Sequence, residues 1–232
     1  MAETARIALV AGGSGLVGSQ LLRLLLDNSD YSRVCALSRR ALPIDHPRFA
    51  NRVVRFTAPL DAQLKGLSCQ DAFCCIGTTL RQAGSQEAFR AVDHDVTSAF
   101  ARFALAAGAE RLVVVSAVGA DPASKNFYLR VKGETERALE ALRFRDLEIL
   151  QPSLLIGTRR EQRLLELLAQ GALWSAGPLL LGNAARFRAV EAGTVAAAMV
   201  GAARAGRRGV QRYTYEGIRR LATPKRSAAI VN

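Results

Sequence analysis

Tyr128, Lys132 and Ser116 are the residues whose types and spacing could carry acid–base chemistry. Tyr128 and Lys132 are four positions apart in a helical pattern, and Ser116 ends the apolar run 112–115. Positions i and i+4 share one helix face, so the Lys132 ammonium can stand beside the Tyr128 phenol and favour its ionised form. A phenol whose pKa is about 10 needs such help near neutral pH. The trio predicts the proton-transfer group of a nicotinamide-dependent reductase, although the pair alone also fits an ordinary helix surface.

A glycine-rich turn near the N-terminus supplies a second pattern. The apolar run 7–10 leads into Ala-Gly-Gly-Ser-Gly-Leu-Val-Gly at 11–18, and an amphipathic helical stretch follows. In a dinucleotide site the three spaced glycines allow a tight turn, close approach of the pyrophosphate, and close helix–strand packing. The residues expected to bind a dinucleotide here are Gly12, Gly13, Ser14, Gly15, Leu16, Val17 and Gly18. A turn between buried elements that binds no ligand is the alternative.

With both motifs in view, the chain resembles the atypical or extended branch of the short-chain dehydrogenase/reductase superfamily, to about residue 160. It is most similar to the Tat-interacting oxidoreductase family at 73–79 (Phe-Cys-Cys-Ile-Gly-Thr-Thr), 88–95, 116–121 and 126–134. Where that family has two serines before its Gly-Ala-Asp pattern, this chain has Val115 and Ser116. The resemblance implies Ser116, Tyr128 and Lys132 as catalytic residues. It also implies cofactor contacts from Ile76, Gly77, Thr78, Tyr128, Lys132, Pro152, Leu154 and Leu155.

The end of the second predicted strand bears on which nicotinamide cofactor is bound. An NAD-binding chain usually has Asp or Glu about 20 residues after the glycines, to bind the ribose 2′-hydroxyl. Here Ser38 occupies that place, and Arg39 and Arg40 follow. Two guanidiniums offer charge-assisted bonds to a 2′-phosphate, which a carboxylate would repel. NADP(H) is therefore the predicted cofactor, the alternative being that both arginines are merely solvated.

Strand-like and helical patterns alternate along the chain. Strands are predicted at about 6–11, 33–38, 52–57, 71–76, 111–116 and 146–151, and helices at about 16–27, 86–107 and 127–143. This order predicts an α/β fold: a Rossmann-type doubly wound parallel sheet with a small C-terminal extension. We expect one NAD(P)-binding domain over 1–232, with a cofactor core at 1–157 and a substrate or C-terminal region at 158–232. Each motif then follows a strand's carboxyl end, where such folds bind ligands.

Composition narrows the function classes further. The formal net charge is +12, but the basic residues are dispersed, and their densest groups, at 159–163 and 204–212, lack interleaved aromatic residues. Specific nucleic-acid binding is therefore not expected. Without a run of 18 apolar residues or a signal-like start, we expect no membrane span and a cytoplasmic protein. The four cysteines (Cys35, Cys69, Cys74 and Cys75) lack metal-ligand spacing, so no metal is predicted, and adjacent Cys74 and Cys75 are interpreted as core residues on opposite strand faces.

These observations predict an NADP(H)-dependent oxidoreductase that reduces a small carbonyl or related substrate. Hydride comes from NADPH, Tyr128 donates the proton, Lys132 stabilises the phenolate, and Ser116 donates a hydrogen bond to the carbonyl oxygen. The fourth relay position stays open, because the relevant helix reads Val92-Asp93-His94-Asp95. Two alternatives are kept: an NADP(H)-binding regulatory module that acts through a protein partner, and a sugar-nucleotide epimerase or dehydratase. Substrate identity and homodimer formation are left open.

Overall fold

The computed structural model describes residues 6–156 and 186–223, in which strands and helices alternate. The strands are β1 (Arg6–Ala11), β2 (Tyr31–Ser38), β3 (Phe49–Val53), β4 (Asp71–Cys74), β5 (Arg111–Val115), β6 (Asp146–Leu150), β7 (Leu155–Ile156), β8 (Val190–Glu191) and β9 (Gly209–Tyr213). The helices are α1 (Leu16–Leu26), α2 (Leu60–Gln63), α3 (Leu80–Ala83), α4 (Gln86–Arg90), α5 (Thr97–Ala106), α6 (Phe127–Ala141), α7 (Ala192–Ala205) and α8 (Tyr215–Ala222). A π-helical segment, Ala91–Val96, joins α4 to α5.

Seven parallel strands form the central sheet, in the order β3-β2-β1-β4-β5-β6-β9. Successive strands extend outward from β1 in one direction and then from β4 in the other. The strand order therefore reverses between β1 and β4, and ligands bind in such folds outside the carboxyl ends of the strands at this point. The predicted α/β doubly wound parallel sheet is confirmed. A small two-stranded sheet, β7 paired with β8, lies beside it.

The third and the seventh strands of the sheet depart most from the prediction. The third strand was expected at 52–57, but β3 begins at Phe49 and ends at Val53. Val53 pairs with Ser38, the last residue of β2, so the strand has no partner beyond that residue. The seventh strand, β9, was not predicted; it pairs with β6 at the edge of the sheet, and most of its residues are exposed. Its sequence consequently lacks the continuous apolar run of a buried strand.

The helix expected over 86–107 forms as α4, the π segment and α5. The Ser85 side chain caps its start by accepting a hydrogen bond from the Ala88 amide, 3.1 Å away. Within the π segment Asp93 is buried, whereas Asp95 is exposed. A π turn alters which residues share a helix face, since its hydrogen bonds join i to i+5. The 3.6-residue pattern of the sequence contains no sign of this change.

Apolar side chains cover both faces of the sheet. On one face, β1 and β2 pack against Leu21, Leu22 and Leu25 of α1 and against α7. On the other face, the sheet packs against α5 and α6 through residues such as Phe100 and Leu139. Cys74 belongs to the second cluster, while Cys75 packs against the first and lies 3.6 Å from the Met199 sulfur. The two cysteines thus fill opposite faces of the core, as their alternation along a strand predicts.

A buried ion-pair network joins the amino ends of four strands. It links Arg6, Asp71, Arg111 and Asp146, which are the first residues of β1, β4, β5 and β6. Arg6 and Arg111 lie 2.6 and 3.0 Å from an Asp71 oxygen, and Arg111 lies 2.8 Å from an Asp146 oxygen. Because every charge has a partner, the network can hold the strand starts in register. The network lies at the amino ends of the strands, on the side of the sheet opposite their carboxyl ends.

The basic group at 159–163 falls outside the described residues, as does part of the expected substrate or C-terminal region at 158–232. Among the helices that the structure describes, none is both long and apolar enough to cross a membrane.

Candidate functional site

The glycine turn after β1 depends on two close backbone contacts. Gly12 has a φ of +82°, and a Cβ there would lie 2.5 Å from the carbonyl carbon and oxygen of Cys75. A Cβ at Gly18 would lie 2.2 Å from the Gly12 oxygen. Side chains are therefore excluded at both positions, because such distances are far inside van der Waals contact. The contacts bring the start of α1 against the turn and the turn against the end of β4.

The outer side of the same turn is open. Ser14 and Gly15 are exposed, and a Cβ at Gly15 would meet only the Gly12 oxygen, at 3.2 Å. No side chain caps α1, which begins at Leu16. The amides of a first helical turn have no partner within the helix, and they carry the positive end of the helix dipole. This backbone cradle fits a pyrophosphate, and Gly13, Leu16, Val17 and Gly18 belong to the same turn.

At the end of β2, a hydrogen-bonded turn presents two arginines. The buried Ser38 hydroxyl donates to the Arg40 carbonyl oxygen, 2.6 Å away, and accepts from Asn51 Nδ2 at 2.8 Å. Asn51 also accepts from the Leu42 amide at 2.7 Å. Ser38 and Asn51 thus shape the backbone. Arg39 and Arg40 are exposed, and their guanidinium groups form no bond with another described side chain. Asn51 was not identified from the sequence, since its role depends on the pairing of β3 with β2.

The segment after β4 leads from the glycine turn to a buried ion pair. Ile76 is half-buried, and Gly77 is exposed. A Cβ at Gly77 would lie 3.6 Å from Asp93 Oδ1 and 3.8 Å from Lys132 Nζ. The Thr78 amide donates a hydrogen bond to Asp93 Oδ2, 2.9 Å away. Gly77 and Thr78 therefore lie over the Asp93–Lys132 pair.

Lys132 contacts Asp93 and lies near Tyr128. Its ammonium nitrogen is 2.6 Å from Asp93 Oδ1 and 6.0 Å from the centre of the Tyr128 ring. Burial is the largest influence on Lys132 and disfavours its charge, but Tyr128 and Asp93 together outweigh it and raise the pKa of Lys132. Tyr128 is half-buried, and its ring packs at 5.4 Å from the Phe89 ring. Within the segment 92–95, whose role the sequence left open, it is therefore Asp93 that contacts Lys132.

Ser116 follows β5 and makes a buried contact with α6. Its amide donates to the Leu150 oxygen at 2.7 Å, and its hydroxyl lies 2.5 Å from Glu136 Oε1. Glu136 also accepts from Gln151 Nε2, at 2.9 and 3.1 Å, and from Arg212 Nε at 3.1 Å. Glu136, Gln151 and Arg212 were not predicted from the sequence. The only available signal was that Glu136 lies four residues after Lys132, on the same helix face.

A small cavity is lined by both the Asp93 and the Glu136 carboxylates. Its volume is about 10 Å³, which is near the minimum for one water molecule. Its polar lining comprises Asp93, Thr97, Ser116, Lys132, Thr135 and Glu136. The Lys132–Asp93 pair and the Ser116–Glu136 pair therefore line the same cavity.

The loop after Ser116 packs directly on α6. A Cβ at Gly133 would lie 2.2 Å from the Asp121 carbonyl carbon, and the Asp121 amide donates to the Leu129 oxygen at 3.1 Å. Glycine at 133, next to Lys132, is what permits this approach. The contact fixes Ser116 and Lys132 relative to each other.

The proline-led loop after β6 meets the Ser116 loop on one side. Pro152 is buried, and its oxygen accepts from the Val118 amide at 3.0 Å. Leu154 and Leu155 are half-buried, and the Leu154 oxygen accepts from the Val190 amide at 2.8 Å. All the motifs predicted from the sequence thus follow carboxyl ends of strands at one edge of the sheet.

The described fold resembles solved structures of nicotinamide-dinucleotide-binding enzymes. A short-chain dehydrogenase from Burkholderia cenocepacia J2315 in complex with NADP matches with a TM-score of 0.65 and 14% identity, covering 94% of this chain and 91% of that one. MoeE5 in complex with UDP-glucose and NAD matches with a TM-score of 0.65 and 20% identity, covering 89% and 75%. At these identities the likeness concerns the fold alone, which is of the Rossmann type.

Sequence relatives give the family. The chain is 36% identical to Protein HTATIP2 of Rattus norvegicus over 178 residues, or 72% of this chain and 73% of that protein. It is 34% identical to Protein FMP52, mitochondrial, of Coccidioides immitis (strain RS) over 198 residues, or 78% of each. No protein-family model matches. The chain belongs to the HTATIP2 and FMP52 family of atypical short-chain dehydrogenases/reductases.

One sequence-based expectation is wrong. The chain was expected to be cytoplasmic because its start lacks a signal-like pattern, whereas several relatives at 33–36% identity are described as mitochondrial. Targeting depends on receptor-read features that need not resemble a secretory signal, so the missing pattern did not support a cytoplasmic location.

Proposed function

We propose that the chain is an NADP(H)-dependent oxidoreductase that reduces a small carbonyl compound. The observation that carries this proposal is the buried Lys132, held at 2.6 Å by Asp93 and adjacent to Tyr128, at the same sheet edge as the open glycine turn. Membership of the family and the nicotinamide dinucleotides bound by the structural neighbours support it.

The residues present fit the cofactor. The open backbone at 12–18 would hold the pyrophosphate, since no side chain caps the start of α1 and none fills the cradle. Arg39 and Arg40 would bind a 2′-phosphate. The segments 76–78 and 152–155, with Tyr128 and Lys132, would contact the nicotinamide half. When bound, the reduced nicotinamide supplies a hydride.

The protein's part is to deliver a proton. The raised pKa of Lys132 keeps its ammonium charged through the neutral range, and that charge favours the phenolate of Tyr128 once its proton has been given to the substrate oxygen. Asp93 fixes the position of the ammonium. The expected donation from Ser116 to the substrate stays a prediction, because in the structure its hydroxyl lies against Glu136.

Cofactor preference tests the proposed arginine contacts. NADPH should bind at least about tenfold more tightly than NADH in calorimetry, a difference of about 1.4 kcal/mol. Changing Arg39→Asp together with Arg40→Ala should remove this preference. Arg102→Asp with Arg137→Ala makes the same change in net charge at exposed helix positions and should preserve it. Equal affinities for the two nucleotides in the unaltered chain would refute the assignment.

Tyr128→Phe tests the reaction itself. The change removes a hydroxyl and keeps the ring that packs on Phe89, so the fold and the NADPH affinity should persist. Turnover of a competent aldehyde, ketone or quinone should fall by about 10² or more, as expected for a positioned acid–base group.

A regulatory NADP(H)-binding module is the second candidate. The contact of the Ser116 hydroxyl with Glu136 favours it, because a hydroxyl that donates its proton to Glu136 does not donate it to a substrate carbonyl. Such a module would be stabilised by NADPH through mass action but would consume none with any carbonyl compound. Tyr128-dependent consumption in a broad panel distinguishes the two candidates.

A further inference from the structure

The direction of the hydrogen bond between Ser116 and Glu136 is decided by the other partners of the carboxylate. Gln151 Nε2 and the Arg212 guanidinium both donate to Glu136. A carboxylate paired with a guanidinium only accepts hydrogen bonds, so the Ser116 hydroxyl is the donor across the 2.5 Å contact. The single proton of the Ser116 hydroxyl is therefore donated to Glu136 on α6.

The contact is also well shielded from solvent. Glu136 is 4% exposed, and Ser116 and Gln151 are each 8% exposed. A charge-assisted hydrogen bond in such surroundings is stronger than a neutral bond at the surface. Breaking it would leave a buried carboxylate with one donor fewer. The free lone pairs of the Ser116 oxygen are therefore what a ligand at the site encounters.

We infer that Glu136 is a positioning residue that sets the direction of the Ser116 hydrogen bond, so that Ser116 presents an acceptor rather than a donor to a bound molecule. This inference rests on the proposed function for its catalytic meaning. A ligand group with its own proton, such as an alcohol hydroxyl, matches an acceptor at Ser116, whereas a carbonyl oxygen does not. Carbonyl stabilisation is then left to Tyr128.

Glu136→Gln should reverse this direction. The guanidinium of Arg212 requires an acceptor, so the amide oxygen introduced at position 136 should face Arg212 and its NH₂ group should face Ser116. The side-chain amide of Gln151 can flip, which exchanges the positions of its oxygen and nitrogen and allows it to hydrogen-bond with the new amide at position 136. The Ser116 hydroxyl would then accept from position 136 and could donate its proton to a ligand.

A thiol placed at position 116 reports, without requiring turnover, whether Glu136 favours the protonated form of the side chain at that position. In Ser116→Cys, a carboxylate beside the sulfur disfavours the thiolate, so the apparent pKa should lie above the ordinary value of about 8.5. Adding Glu136→Gln replaces an acceptor with an N–H donor and should lower that pKa by about one unit or more. The pKa is read from the rate of iodoacetamide alkylation against pH. The tryptic peptide 112–125, which contains no native cysteine, is followed by mass spectrometry.

Glu140→Gln is the matched control in the Ser116→Cys background. Glu140 lies one turn further along α6 and also pairs with Arg212, but no contact joins it to Ser116. Glu140→Gln should leave the thiol pKa within about 0.3 units, because a partly exposed charge that does not contact position 116 acts weakly. An equal shift from both glutamine variants would attribute the effect to Arg212 and overturn the inference.

Two further results would also overturn it. One is an unchanged thiol pKa after Glu136→Gln in a protein whose thermal midpoint shows that it is folded. The other is a pKa at or below about 8.5 in Ser116→Cys alone, which needs no second substitution. NADPH affinity is measured on the same proteins. A lack of NADPH binding by the unaltered chain would refute the proposed function, while the thiol result would still decide whether Glu136 holds the proton of the side chain at position 116.

Discussion

Removing the Asp93 carboxylate should expose the cost of burying Lys132. The Lys132 and Asp93 side chains are 9% and 0% exposed, and their charged atoms are 2.6 Å apart. Asp93→Ala would leave a buried ammonium without its carboxylate, which typically costs about 3–5 kcal/mol. It would also leave the Thr78 amide without its acceptor, at a further cost of about 1 kcal/mol. We expect the free energy of unfolding at pH 7 to fall by about 4–6 kcal/mol in total.

The pH dependence of this loss has a definite sign. In the unaltered protein the pKa of Lys132 is raised above its ordinary 10.5, so its contribution to stability is present below that pH and is lost as pH rises through the folded-state pKa. Without Asp93, Tyr128 still favours the charged form, but we expect burial, the largest influence, to outweigh it and to favour the neutral amine. The folded variant then binds fewer protons than the unfolded chain, so its stability should rise with pH. The difference between the two proteins should therefore shrink between about pH 8 and pH 10.5.

Urea unfolding at several pH values measures both effects. Asp93→Asn keeps an acceptor for the Thr78 amide and should cost about 3 kcal/mol, which leaves a measurable transition if the alanine variant is unfolded. Asp95→Ala, two residues along the helix and 64% exposed, is the control and should change stability by about 0.5 kcal/mol or less. The reasoning would be refuted if Asp93→Ala lowered the free energy of unfolding no more than the control does. It would also be refuted if the stability difference between the unaltered protein and Asp93→Ala grew with pH.

Three other predictions follow from the geometry. Gly12 and Gly84 have nearly the same φ, +82° and +83°. A Cβ at Gly12 would lie 2.5 Å from Cys75, whereas a Cβ at Gly84 would meet nothing within 4 Å. Gly12→Ala should therefore lower stability in urea unfolding by at least about 2 kcal/mol more than Gly84→Ala, and equal losses would contradict the clash. Burial raises the pKa of Cys74 to about 11, so iodoacetamide at about pH 8 should label it slowly in the folded protein and quickly in urea, whereas fast labelling of the folded protein would contradict its burial. Binding to a random DNA duplex should vanish at physiological salt in an anisotropy titration, and persistent sequence-dependent binding would contradict the dispersed-charge argument.

Local sequence patterns determined much of the fold. Five of the six predicted strands overlap closely with β1, β2, β4, β5 and β6, because continuous apolar runs are the pattern of strands buried on both faces. The glycine turn was recognisable because the glycines come between a strand and a helix. Tyr128 and Lys132 were placed on one helix face by their spacing. The class of protein followed from these local signals together.

The partners of the site residues were decided only by the tertiary structure. Asp93 meets Lys132 across 39 positions, through a π segment that the periodicity does not predict. Ser116 meets Glu136 because α6 packs on the loop after β5, and Arg212 reaches Glu136 from β9, a strand with little apolar signal. Periodicity specifies which face of a helix is buried. Periodicity does not specify which buried polar atoms form hydrogen bonds with each other. That depends on how each helix packs on the sheet, because a displacement of a few ångströms is enough to break a hydrogen bond.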